Sequence, residues 1–112
     1  VKVPRGGQPQ PRLFEVSNRT GAVRAEEITA FSQGDLLSAE VYVLDAGSTV
    51  FLWVGSQASD AEKRSAPDLA QEYLRQQKRK GTAVVSVKEG HEPPLFTANF
   101  RGWDRDKAAP FV

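Results

Sequence analysis

The sequence predicts an α+β domain, a sheet with helices packed on it, on three observations. Two runs rich in β-branched and aromatic residues, Glu40-Val41-Tyr42-Val43-Leu44-Asp45 and Thr49-Val50-Phe51-Leu52-Trp53-Val54-Gly55, flank the short break Ala46-Gly47-Ser48, which is a hairpin signal. Both runs are apolar on successive positions rather than strictly alternating, so both faces of these strands are covered, as at the centre of a sheet with helices on each side. Beyond Gly55, the residues Ser59, Asp60 and Glu62 supply capping groups and early acids, and Leu69, Ala70, Tyr73 and Leu74 fall at helical spacing. A helix therefore packs back on the hairpin.

Residues 1–11 hold three prolines, two glycines and two glutamines with two valines as the apolar residues. Such a segment cannot bury enough surface to order itself and is expected to be a flexible linker. Arg12 to Val16 alternates apolar and polar, and Ser17-Asn18-Arg19-Thr20-Gly21 then reads as a turn. Ala22 to Ile28, with two glutamates and an arginine, is its partner and an exposed edge strand. Ala30 to Leu37 is expected to be a loop with one helical turn, pinned to the core by its Phe and Leu side chains.

In the long helix, Pro67 removes a backbone donor and crowds the carbonyl of Lys63, a cost of about 3 kcal/mol unless the helix bends or restarts, so a kink is expected near Arg64. Arg75, Lys78, Arg79 and Lys80 precede Gly81, the expected basic end and left-handed stop. Ala83 to Lys88 is a strand by composition, and Glu89 to Pro94 is a loop made rigid by two prolines. Leu95, Phe96 and the stretch from Phe100 to Trp103 supply late apolar anchors. The division is thus a linker at 1–11, one domain at 12–104 and a loose polar tail at 105–112.

Composition narrows the function. A chain of 112 residues, 39% hydrophobic and 26% charged, holds one core. Without cysteine it has no disulfide framework or thiolate metal site, which suits a reducing, cytoplasmic compartment. No apolar run approaches the roughly 20 residues of a membrane span, and no signal-peptide pattern opens the chain. A formal charge of +1 gives no strong field for nucleic acid. No phosphate-cradling glycine loop opens a helix, no nucleophile elbow is present, and His91 is the single histidine, so an enzyme is not expected. The chain reads as a module of a longer protein.

Four stretches carry a resemblance to a known family. They are Arg12-Leu13-Phe14-Glu15 with Ser17-Asn18 and Thr20-Gly21; Val43-Leu44-Asp45 through Val50-Phe51-Leu52-Trp53-Val54-Gly55; Glu62-Lys63; and Gly90-His91-Glu92-Pro93-Pro94-Leu95-Phe96 followed by Gly102-Trp103-Asp104. Together they resemble the gelsolin-like repeat of the gelsolin and villin family of actin-severing and capping proteins. The EPP-x-F and GWD elements look most like the sixth, C-terminal repeat of the villin type. The resemblance implies a five-stranded mixed sheet between one long and one short helix.

It also implies a calcium site within the repeat: the Asn18 carbonyl, Glu40 before the central strand, and Glu62 in the first helical turn as a bidentate ligand. Calcium takes six to eight oxygens, with carboxylates supplying charge. Ala39 stands where the family often has another acid and Glu40 where Asp is usual, so binding weaker than in an Asp-bearing repeat is expected. Each residue also has a structural reading. Glu62 is a favourable partner for the helix dipole, Glu40 a solvated strand flank, and Asp60 an N-terminal helix residue. His91 packs or meets solvent, and Trp53 and Trp103 belong to the core and its edge.

The resemblance implies actin as a partner through a parent protein of several repeats, and contact with neighbouring repeats. The isolated domain is expected to be a monomer and to bind actin monomers weakly, because Lys63, Arg64 and Pro67 interrupt the apolar face such a helix would present. The basic run from Arg75 to Lys80 could draw phosphoinositide lipid, although helix-end complementarity explains the same charges. The alternative function is a structural protein-interaction domain with a degenerate calcium site and no direct actin binding.

Overall fold

The five residues of β3 (Val41–Asp45) are all buried, and the strand lies at the middle of the sheet. A computed structural model describes residues 10–17, 23–79, 81–100 and 102–104. Its elements are β1 (Arg12–Ser17), β2 (Arg24–Ile28), a 3-10 turn at Gln33–Asp35, β3, β4 (Thr49–Val54), α1 (Asp60–Gln76), β5 (Ala83–Lys88) and α2 (Pro94–Thr97). The strands are ordered β2-β1-β3-β4-β5. The first four pair antiparallel, with Val16 opposite Val41 and Val41 opposite Val54, whereas β5 joins β4 in parallel through Phe51 opposite Val85. The fold is the α+β arrangement that the sequence predicts, a mixed five-stranded sheet with one long and one short helix.

Alternation along the strands divides the core into two layers. Tyr42, Leu44, Phe51, Trp53 and Leu13 face one way, joined by Val87, Phe96 and Phe100, with α2 on this side. Val41, Val43, Val50, Leu52 and Val16 face the other, where Ala66, Ala70 and Leu74 of α1 meet them. This double coverage is why the hairpin lacks strict alternation. Buried positions on α1 recur every four residues, at Glu62, Ala66, Ala70 and Leu74, and the alanines let the helix lie close to the sheet. On the opposite layer Phe96 is fully buried, edge-on to Phe51 at 5.5 Å and to Trp103 at 5.8 Å.

β2 is the exposed edge expected from its charges, and the 3-10 turn occupies the predicted loop. Leu36 is buried there, but Leu37 is 41% exposed and does not pin the loop. The second proline of the predicted rigid loop is instead the first residue of α2, where a fixed φ and a missing N–H cost nothing. α1 runs unbroken through Pro67. Pro67 and Lys63 both lie on the solvent side, so water can satisfy the Lys63 carbonyl and no restart is required.

The stop of α1 differs from expectation. Gly81 has φ +77°, but the helix ends earlier, with Lys78 in the left-handed region at φ +57°. The Arg79 amide bonds the Leu74 carbonyl at 3.0 Å and the Lys78 amide that of Arg75 at 3.0 Å, the double bond pattern of a Schellman stop with lysine in the glycine position. The predicted linker and tail fall almost entirely outside the described residues, as does the turn 18–22. Asp104 is held: Gln33 Nε2 donates to its carbonyl, and its amide donates to Gln33 Oε1, both at 2.9 Å.

Candidate functional site at the head of the long helix

The entrance of β3 and the start of α1 occupy one end of the sheet. The Gly55 amide donates to the Glu40 carbonyl at 3.0 Å, Gln57 N–H to the Ser38 carbonyl at 2.8 Å, and Ala58 N–H to the Gly55 carbonyl at 3.1 Å. This approach is so close that a Cβ on Gly55 would lie 2.2 Å from the Ser38 oxygen, hence the glycine. Ser59 follows in extended conformation as the N-cap of α1.

Of the three predicted ligands, Glu62 is the most sharply placed. It is the third residue of α1 and only 4% exposed. Its amide donates to Ser59 Oγ at 3.1 Å, and its Oε1 accepts the Ser59 amide at 3.3 Å, a capping box. Among the described residues, the Ser59 amide is the donor that reaches this carboxylate. Burying a carboxylate is costly unless donors or a cation compensate it.

Glu40 is half-buried with Oε1 shielded from solvent, and its charge raises the Tyr42 phenol, which burial has already pushed up. Ala39 is exposed. Asn18 lies outside the described residues; Ser17, before it, is buried at the end of β1. The fold thus brings Glu40 and Glu62 to one end of the sheet. Among the described residues no three His, Asp or Glu side chains gather into a metal cage. The donors are all oxygens, the type that suits a hard cation whose remaining ligands are carbonyls or water.

A third carboxylate at this end, Glu89, does other work. Ser38 Oγ donates to Glu89 Oε2 and the Ser56 amide to Oε1, both at 2.7 Å. Burial raises the Glu89 carboxyl, yet these donors hold it below the usual range. It staples the loops that carry Glu40 and α1. Nearby, Trp53 is buried as expected and gives its indole N–H to Glu92 Oε2 at 2.9 Å, while His91 is exposed.

The far end of α1 holds a network that sequence reasoning missed. Arg79 Nη1 and Nη2 donate to Asp45 Oδ2 and Oδ1 at 2.6 and 2.9 Å, and Nη2 also reaches the Gly47 carbonyl at 2.8 Å. The Tyr73 hydroxyl donates to Asp45 as well, and the Gly47 amide to its Oδ1 at 3.0 Å. Arg79 is therefore a structural cation rather than a free helix-end charge. In the same basic run Arg75 pairs with Glu72, Lys78 is exposed, and Lys80 lies outside the described residues. The missed signals were the Ser59-to-Glu62 spacing of a capping box and an aspartate two residues before a turn glycine.

Comparison with known proteins agrees with this architecture. Residues 23–97 match the gelsolin repeat family. Mouse advillin (Mus musculus) is 44% identical over 98 residues, which cover 85% of this chain and 12% of advillin. Gelsolin-like protein 1 of Caenorhabditis elegans is 40% identical over 97 residues, 84% of this chain and 20% of that protein. Among solved structures, a chain of the Thorarchaeota 2DGel3/rabbit actin complex superposes with a TM-score of 0.73 at 28% identity, covering 89% of this chain and 50% of that one. The chain thus spans a fifth or less of these two relatives' length. With the matched residues running from β2 through α2 and the sheet order in agreement with its sequence, this chain belongs to the gelsolin repeat family.

Proposed function

We propose that this gelsolin repeat is a calcium-responsive regulatory and binding module of an actin-filament severing, capping or bundling protein of the villin or gelsolin type, working in the cytoplasmic cytoskeleton. The GWD and EPP-x-F elements favour the position of a sixth repeat. The observation that carries the calcium reading is Glu62: a carboxylate 4% exposed, with one long hydrogen bond, at the sheet end where Glu40 enters β3. Glu62 and Glu40 would hold the cation, with the Asn18 carbonyl as a further ligand. Calcium, when bound, would supply a positive charge between the two carboxylates. A cation changes the domain's arrangement only if it binds two arrangements with different affinity, here one packed against neighbouring repeats and one released from them.

Actin enters through the relatives: the 28% identical neighbour was solved in a complex with rabbit actin, and advillin is 44% identical. Contact by this repeat alone is weak in our reading, because the outward face of α1 presents Lys63, Arg64, Pro67, Asp68 and Glu72, all exposed. The isolated domain is then a monomer that meets actin as part of a longer protein. Lipid binding by the basic run falls mainly to Lys78 and Lys80, since Asp45 and Glu72 engage Arg79 and Arg75. A second reading, a structural interaction domain with a degenerate site, is favoured by the exposed Ala39 and by the lack of a three-carboxylate cage among the described residues.

Calorimetric calcium titration of the chain, with Glu62→Gln as control, separates the readings. Saturable binding that the substitution abolishes is the expected result. No binding at millimolar calcium, or binding indifferent to the substitution, leaves the structural reading. Co-sedimentation with filaments and pull-down of actin monomers test the actin part, and micromolar binding to monomers by the isolated domain would overturn it.

A further inference from the structure

α1 stops one strand short of the sheet's edge. It packs over β3, β4 and β1, while β2 lies beyond β1 as the outermost strand on that side among the described residues. The outer side of such a strand presents a row of main-chain N–H and C=O groups, a template for one more extended chain. The step between α1 and β2 is an open groove of about 440 Å³, walled by Leu69 and Tyr73 of the helix and floored by Phe14, Val23, Ala25 and Val43. Register explains the apolar floor: Ala25 lies opposite Val16 and Glu27 opposite Phe14, so alternate residues of β2 face the helix side. Ala25 is exposed and too small to fill the space. At the Phe14 end, Arg12 lies 5.2 and 5.9 Å from the ring centroids of Phe14 and Tyr73, and its Nε and Nη2 donate to the two oxygens of Glu27 at 3.0 and 2.8 Å. This ion pair limits apolar contact along β2 to the length of Val23 and Ala25. Arg24, between them, is exposed and by alternation belongs to the other face.

We propose that the β2 edge and this groove together receive an extended peptide segment of a partner protein as a further strand, with apolar side chains opposite Val23 and Ala25 and an acidic one opposite Arg24. Main-chain bonds to an edge strand supply affinity in this mode, and pockets for alternate side chains supply selection. A helix seated in the groove would not satisfy the main chain of β2, so the occupant is an extended chain. The acid follows from the charge of Arg24, since opposite charges on directly facing positions of adjacent strands attract. A second copy of this chain fits less well: antiparallel self-pairing of two β2 strands about Glu26 sets like charges face to face. This surface is separate from the head of α1 and does not draw on the calcium reading.

The test is NMR titration of the whole isotope-labelled chain with the peptides acetyl-Thr-Val-Glu-Val-Thr-amide and acetyl-Thr-Val-Lys-Val-Thr-amide, beside sedimentation of the chain alone. The expected result is saturable shifts confined to Phe14, residues 23–28 and the flank of α1 at residues 69–76. The glutamate peptide should bind about fivefold more tightly, the upper end for an exposed cross-strand charge pair. Arg24→Glu should reverse that preference, which a merely structural role for Arg24 would not do. Ala25→Trp should abolish binding of both peptides by filling the groove. Both positions are exposed, and melting temperatures show whether each variant is folded. Binding of neither peptide, or shifts elsewhere on the domain, would overturn the proposal. A preference that Arg24→Glu leaves unreversed would overturn the acidic position, and dimerisation of the chain with shifts at β2 would assign the edge to a second copy instead.

Discussion

The guanidinium of Arg79 grips both carboxylate oxygens of Asp45, with Nη1 to Oδ2 at 2.6 Å and Nη2 to Oδ1 at 2.9 Å. Asp45 ends β3 and is 6% exposed; Arg79 is the first residue past the Schellman stop, so the pair bolts the far end of α1 to the central hairpin. The pair is part-buried, with the Arg79 side chain 26% exposed, and removing Asp45 takes away the fork's acceptor together with the acceptor of the Tyr73 hydroxyl and Gly47 amide. Asp45→Ala should therefore lower stability by about 3 kcal/mol, and Arg79→Lys, which keeps charge but loses the fork, by a smaller amount. Urea unfolding of both single variants and the double variant checks this. A coupling indistinguishable from zero in that cycle would mean the contact carries no stability.

The same network predicts how stability follows pH. Burial raises the Asp45 carboxyl, but the Arg79 fork, the Tyr73 hydroxyl and the Gly47 amide outweigh it, so its folded value lies below the unfolded one; Glu89 is lowered in the same sense. A carboxyl lowered on folding stabilises above its unfolded value, near 4, and that contribution is lost as pH falls through the folded value. Melting temperature should be nearly flat near neutrality, drop below about pH 4, and drop less in Asp45→Asn. At the alkaline end the phenols move the other way. Burial, then Asp45, pushes Tyr73 up to about 12, and burial raises Tyr42 still further. Their contribution is full below the unfolded value near 10 and is lost as pH rises through the folded ones. Absorbance at the phenolate band should therefore show no step near pH 10 for either of the two tyrosines while the domain is folded.

Lys78 offers a stabilising substitution. It holds φ +57°, a region where an L side chain costs roughly 1 kcal/mol and glycine almost nothing. Its side chain is exposed. Lys78→Gly should raise stability by about 1 kcal/mol, less the greater entropy of the unfolded glycine. A shift of the urea midpoint to higher denaturant at unchanged slope is the expected reading, and a lower midpoint would show that the lysine makes a favourable contact outweighing its strain.

Gly55 should tolerate no side chain. Here the obstacle is space: the nearest atoms to an added Cβ are the carbonyl oxygens of Ser38 at 2.2 Å and Glu40 at 2.7 Å, both backbone. Gly55→Ala must part β4 from the loop before β3, at a cost of about 3 kcal/mol or more. Because the Glu40 carbonyl accepts the Gly55 amide, the proposed calcium affinity should weaken together with thermal stability in this variant. Unchanged melting would mean that the loop shifts freely.

The hairpin, α1 and β5 were legible because their signals are local: successive apolar residues mark strands covered on both faces, and Leu69, Ala70, Tyr73 and Leu74 fall at helical spacing after capping residues. What the sequence did not disclose depends on partners distant along the chain. Asp45 and Arg79 are 34 residues apart, and Gln33 and Asp104 are 71 apart, so neither bond leaves a periodic trace. The αL lysine was hidden by the glycine three residues later, which offered a better stop by composition. For the candidate site, Ser59, Asp60 and Glu62 were legible as the start of a helix, whereas the capping box that joins Ser59 to Glu62, and the burial of Glu62, came only from the folded structure.

Pro67 tests whether α1 has already adapted to its own sequence. In a helix interior proline costs about 3 kcal/mol relative to alanine, through a lost N–H and a clash with the carbonyl four residues earlier. Proline also restricts the unfolded chain, which returns up to about 1 kcal/mol. The helix continues from Asp60 to Gln76 across this position, and Pro67 faces solvent, where an added N–H would meet no new neighbour except the Lys63 carbonyl. Pro67→Ala should therefore stabilise the domain by about 1–2 kcal/mol, read from urea unfolding. If the gain is absent, α1 has bent enough to shed the clash and hydrate the carbonyl. The substitution would then leave stability unchanged while straightening the helix, a change that amide hydrogen exchange at Arg64 to Asp68 would register as increased protection.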